Sequence, residues 1–168
     1  LKLSRGLGDV YKRQLIYDDF KFKCCIGKNG FTRNKIEGDG KTPIGKFSLG
    51  DLYYRKDRKH KPKTNLKIIE IKKNMGWCDD IVSKDYYNKL INFNPNIKGE
   101  KLFRRDYKYD FFIPIKYNWT NSTLRKGSAI FIHLTKNFKS TAGCIALTEK
   151  DFLILVKLIK RNTKIKIL

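Results

Sequence analysis

The chain has 168 residues, 40% of them hydrophobic and 13% aromatic, with 38 Lys and Arg against 16 Asp and Glu for a net charge of +22. That apolar content excludes a disordered chain in spite of the charge, and the length is enough to bury one core without disulfide staples. No apolar run reaches the ~18 residues of a membrane-spanning helix.

The first 14 residues, LKLSRGLGDVYKRQ, share no pattern with the rest of the chain and read as a leader outside the fold. Residues 15–168 read as a single domain. Phe20, Phe22, Cys24 and Ile26 alternate with Lys21, Lys23 and Cys25, the period of a half-buried strand. Asn29-Gly30 then marks a turn. Residues 37–45, EGDGKTPIG, form a structured loop, and Lys46 to Leu49 a short strand. Residues 55–65 read as a basic surface loop. Leu66 to Ile71 reads as a strand, and residues 84–92 as a short helix. Residues 109–117 form a strand that Pro114 pushes towards an edge or bulge. Ser128 to Leu134 is apolar on both faces, as in a central strand. Ile145 to Leu147 is a further strand segment. Thr148 and Asp151 cap a helix whose apolar positions are Phe152, Leu155, Val156 and Ile159. Thr163 to Leu168 closes as a strand. The fold class is mostly β with a C-terminal helix packed on the sheets.

The 29 Lys outnumber the 9 Arg and are spread along the chain, which favours a solvated surface over a nucleic-acid footprint. The four Cys, at 24, 25, 78 and 144, make no CxxC pair, so a zinc ribbon is not expected. Cys24 and Cys25 point to opposite faces of a strand and are not expected to pair with each other.

His60 lies in the basic loop and reads as solvated. His133 lies near the end of an apolar strand, where a polar ring is either a hydrogen-bonded core residue or functional. Cys144 follows Ser140-Thr141-Ala142-Gly143, and reads either as a small buried hydrophobe or as a nucleophile. The second reading has a physical basis. Gly143 permits a tight turn whose N–H groups stabilise an oxyanion, and an imidazole takes the thiol proton.

HLTKNFKSTAGCIAL resembles the signature of the YkuD-type L,D-transpeptidase catalytic domain: a strand His, a loop, then Ser or Thr, any residue, Gly and Cys. IGKNG, EGDGKTPIGKFSL, GWCDD and LFRRDYKYD extend the resemblance over residues 20–160, towards a small bacterial branch of that family. The chain differs from many members at Leu134, Ala142 and Ala146, where Gly or Ser, His, and Arg or Asn are common. The resemblance implies a β-sandwich-type domain with a C-terminal helix, acting on peptidoglycan stem peptides as donor and amine acceptor.

Under that resemblance Cys144 is the nucleophile, and His133 the general base and then acid. The Leu134 carbonyl orients the imidazole, and the Gly143 and Cys144 N–H groups hold the oxyanion. Thr141, Ala142, Trp77 and Asp79 are expected to contact substrate, although a packed Trp beside N-capping Asp residues is an equal reading of Trp77 and Asp79. Neither metal nor organic cofactor is expected. The resemblance further implies covalent inhibition by carbapenems, a monomer, no specific nucleic-acid partner, and a place in the periplasm or cell envelope. Two other readings stay open from the residues alone. One is a papain-like thiol amidase, although those place Cys before His. The other is a non-enzymatic basic binder of nucleic acid or anionic envelope polymer.

Overall fold

The structure, a computed structural model, describes residues 1–4 and 12–168. Among the described residues, fifteen short strands precede or follow one helix. They are β1 (Lys2–Ser4), β2 (Lys12–Tyr17), β3 (Phe20–Cys25), β4 (Phe31–Thr32), β5 (Thr42–Pro43), β6 (Gly45–Ser48), β7 (Leu52–Tyr54) and β8 (Ile68–Glu70). After these come β9 (Met75–Trp77), β10 (Leu90–Asn92), β11 (Glu100–Lys101), β12 (Phe111–Pro114), β13 (Phe131–Leu134) and β14 (Ile145–Leu147). The helix α1 (Glu149–Leu158) and the strand β15 (Lys164–Ile167) end the chain.

Ten strands form one continuous ladder in the order β6-β15-β1-β2-β3-β14-β13-β12-β7-β8. β13 and β14 lie near its centre and run parallel, with His133 opposite Ala146. Side chains alternate across a strand, and here both faces are apolar. Phe111, Ile113, Ile132, Leu134, Ile145 and Leu147 share a core cluster with Phe152, Leu155 and Val156 of α1. Phe112, Phe131 and Cys144 belong to a second cluster with Tyr109, Met75 and Trp77. Cys144, Phe131 and His133 therefore share the face away from the helix.

The helix forms as its sequence dictates. The Thr148 hydroxyl accepts the Asp151 N–H at 3.2 Å, and Phe152, Leu155 and Val156 are buried. The ring of Phe152 stacks on Phe111 at 5.9 Å, which fixes α1 on the sheet.

Three expectations are corrected. Lys2–Ser4 and Lys12–Gln14, read as part of a leader, are strand residues: β1 pairs with both β15 and β2, and β2 with β3. Leu3 is fully buried there, in a strand too short to show a period. The remainder of the expected leader, residues 5–11, lies outside the described residues. Residues 84–92 make turns and then β10, not a helix. Asn88 takes a positive φ of 58°, and its side chain holds Trp77 and the Tyr117 and Asn118 carbonyls. Finally, β12 is an interior strand. Pro114 is tolerated as its last residue, needing no N–H there while its carbonyl accepts from Gly50 at 2.7 Å.

Candidate active site

The turn before Cys144 is stapled from three sides. The Thr141 N–H donates to the Ile26 carbonyl and the Lys28 N–H to the Thr141 carbonyl, both at 2.9 Å, tying the turn to the end of β3. The Thr141 hydroxyl donates to the Cys144 carbonyl at 2.6 Å and accepts the Gly143 N–H at 3.1 Å. The Thr42 hydroxyl, from the GDGKTPIG loop, donates to the Gly143 carbonyl at 2.8 Å and accepts the Gly27 N–H at 2.9 Å. Gly143 has φ of 145°, and a Cβ there would stand 2.9 Å from the Lys41 carbonyl oxygen. Only glycine fits this position.

Cys144 is 8% exposed. Its Sγ accepts the Phe131 N–H at 3.3 Å and donates to the Ala129 carbonyl at 3.2 Å. Burial, reinforced by the Glu100 charge, pushes the thiol up to about 12. Ala129 itself has φ of 50°, an uncommon conformation that aims its carbonyl at the sulfur.

His133 is equally buried, and its Nδ1 lies 2.9 Å from the Leu134 carbonyl. That carbonyl can only accept, so Nδ1 carries the proton and Nε2 is left as the basic nitrogen. Burial holds the imidazole down at about 4, and the Lys108 and Arg104 charges act in the same sense. Thiol and imidazole thus rest as a neutral pair. Among the described residues no hydrogen bond joins them, and the thiol donates instead to the Ala129 carbonyl. The Tyr109 ring meets the His133 ring edge-on at 5.6 Å and fixes its tilt.

Both residues line a cleft of about 300 Å³. Leu134, Thr141, Ala142, Gly143 and Asp79 line it with them. Burial raises the Asp79 carboxyl above its ordinary range, and the Glu37 and Asp80 charges add to this. Trp77 is not among the lining residues. It is 1% exposed, donates from Nε1 to Asn88 at 2.9 Å and packs on Phe131 and Trp119, so it supports the cleft wall from behind. The Gly143 N–H, engaged by Thr141, is also not the open oxyanion donor expected from sequence.

Sequence reasoning misses several lining residues: Lys35, Glu37, Glu100, Arg104, Lys108 and Tyr109. Glu37 opens EGDG and Lys35 lies just before it, while the others sit in LFRRDYKYD or just before it. The motifs stand out in the sequence, but which of their side chains reach the cleft does not. Glu37 accepts from Tyr87 at 2.5 Å and Ser128 at 2.7 Å. Glu100 accepts from Tyr109 at 2.5 Å. Arg104 grips Asp106 at 2.8 and 2.6 Å and lies 3.6 Å from Glu100. His60 lines a separate basic concavity beside α1 and does not reach the cleft of Cys144.

All four cysteines are free thiols. Among the described residues, no group of three or more His, Cys, Asp or Glu is arranged to hold a metal ion. Among them, too, no helix is long and apolar enough to cross a membrane. A family model described as the L,D-transpeptidase catalytic domain, YkuD, matches residues 9–167. No match was found among curated proteins or among solved structures.

Proposed function

This chain belongs to the YkuD family of L,D-transpeptidase catalytic domains, and on that premise we propose that it is a cysteine-dependent L,D-transpeptidase acting on peptidoglycan stem peptides. The observation that carries the reading is the shared cleft of Cys144 and His133, with the Nδ1 of the imidazole committed to the Leu134 carbonyl. That commitment leaves Nε2 to move the proton.

In the first step Sγ bonds to the carbonyl carbon of the third stem residue while the thiol proton passes to Nε2 of His133. The carbonyl electrons move to oxygen, and the Cys144 N–H faces the resulting oxyanion. The C–N bond to the terminal D-Ala then breaks, and the imidazolium gives its proton to the departing amine. A thioester on Cys144 remains. An amine from a second stem attacks it, loses its proton to His133 and forms the 3→3 cross-link as the thiol is regenerated. With water as acceptor the same steps trim the stem to a tripeptide.

Thr141, Ala142 and Asp79, which line the same cleft, are the residues that contact the substrate in this reading. The substrate places this activity in the periplasm or cell envelope. No metal or organic cofactor takes part in these steps. Incubation with a tetrapeptide stem and an acceptor stem tests the reading. The wild-type protein is expected to release D-Ala and accumulate cross-linked product, and Cys144→Ala and His133→Ala each to lose both. Full turnover by Cys144→Ala would overturn it.

A further inference from the structure

The departing residue of the donor stem carries a free carboxylate, and the cleft contains a cation placed to meet it. His133 must deliver its proton to the amine of that residue. The carboxylate is one carbon away from this amine, so it too lies on the His133 side of the cleft.

Among the described residues, four cations line the cleft: Lys35, Arg104, Lys108 and Lys139. Lys35 is buried and bonded to Asp39 at 2.5 Å and to the Ile36 carbonyl at 3.0 Å. Arg104 is committed to Asp106 and Glu100. Lys139 belongs to the loop before Thr141, and its carbonyl accepts from Cys25 at 3.0 Å, on the β3 side of the nucleophile.

Lys108 differs from Lys35 and Arg104 in being unengaged. It differs from Lys139, whose ammonium is likewise without a hydrogen bond or ion pair among the described residues, in lying on the His133 side. Its carbonyl accepts the Leu134 N–H at 3.0 Å, which fixes its backbone against the residue after His133. Its N–H donates to Asp106 at 3.1 Å, and the Asp106 carboxylate is already gripped by Arg104. The Lys108 side chain is exposed, and among the described residues no ion pair or hydrogen bond engages its ammonium. Its charge acts on both His133 and Cys144. Such a charge disfavours imidazolium in the resting site. The Lys108 charge also acts on Glu100 and Asp106, and its unengaged ammonium is free to turn to an anion that arrives with the substrate, which would relieve its effect on His133.

We infer that Lys108 is a specificity-determining residue whose ammonium binds the free C-terminal carboxylate of the donor's departing residue. The inference rests on the transpeptidase reading above. The bound carboxylate neutralises Lys108 at the moment His133 takes up its proton, so recognition of the right donor and activation of the base occur together. Donors whose last residue lacks a free carboxylate gain neither.

The test compares a tetrapeptide stem ending in D-Ala with the same peptide ending in D-alaninamide, and measures release of the terminal residue. The wild-type protein is expected to favour the free acid in kcat/KM by roughly tenfold or more, the worth of a charge-assisted hydrogen bond. Lys108→Gln is expected to bring the two donors close to equality by loss on the acid alone, and Lys108→Arg to restore the preference. The ratio is taken within each variant, so it does not depend on how much of the protein folds. Turnover with an unchanged ratio in Lys108→Gln would overturn the inference and leave the transpeptidase reading standing, as would equal rates in the wild type. No release from either donor by the wild type would overturn both.

Discussion

At the residue scale, the central fact is that Cys144 and His133 rest neutral. Burial pushes the thiol up to about 12 and the imidazole down to about 4. A preformed thiolate–imidazolium pair would need the opposite shifts. Under the proposed mechanism the thiol then loses its proton to His133 as it meets the substrate carbonyl, not beforehand.

The imidazole also carries a stability signature. Its folded-state value lies below the ordinary 6.5, so below that pH the unfolded chain binds a proton that the folded one refuses. Stability from this group is present above pH 6.5 and is lost as pH falls towards 4. Urea unfolding at pH 7.5 and 4.5 is expected to show roughly 2–3 kcal/mol more loss in wild type than in His133→Gln. Equal losses would contradict the burial argument. His133 and Cys144 are both legible in the sequence, because a lone polar ring in an apolar strand and a Gly-Cys turn are local signals. Lys108 and Tyr109 are not, because what they touch depends on which strands pair.

At the element scale, the parallel pair β13–β14 does most of the positioning. Its register puts His133 beside Ala146 and on the same face as Cys144. The Thr42 hydroxyl joins that pair to the GDGKTPIG loop through the Gly143 and Gly27 bonds. The sequence marks this loop as structured. Its link to the Cys144 turn is hidden there, since the partners are 101 residues apart. Thr42→Val keeps the shape and removes both bonds, both of them buried. It is expected to cost roughly 1–3 kcal/mol and to slow acylation of Cys144, measured by urea melts and by adduct formation with time. Thr148→Ala removes the helix cap on the far face. It is expected to cost about 1 kcal/mol with acylation unchanged, and a large loss of acylation would contradict the separation of the two faces.

The elements with local periods, β3, β15 and α1, and the wholly apolar segment β14 are legible with boundaries close to those observed. The small sheet β10-β9-β11 is not, because its strands are two or three residues long and Asn88 reverses the chain just before one of them. The short helix expected over residues 84–92 is overridden there by a left-handed residue and by pairing with β9.

At the scale of the whole molecule, the sheet separates two tasks. One face packs against α1 and forms the larger core. The other carries the aromatic cluster of Tyr109, Phe112, Phe131 and Trp77, on which the cleft is built. The net charge of +22 does not make the cleft uniformly basic. Glu37, Asp79 and Glu100 line it together with Lys35, Arg104, Lys108 and Lys139. A mixed lining suits a substrate that carries both amines and carboxylates, and a stem peptide is one.

The most direct test of the whole account is the intact mass of the protein after incubation with a carbapenem, for wild type and Cys144→Ala. Wild type is expected to gain the mass of one inhibitor molecule, and Cys144→Ala to gain none. An unmodified wild-type protein, or an adduct that persists in Cys144→Ala, would contradict the assignment of Cys144 as the acylated nucleophile.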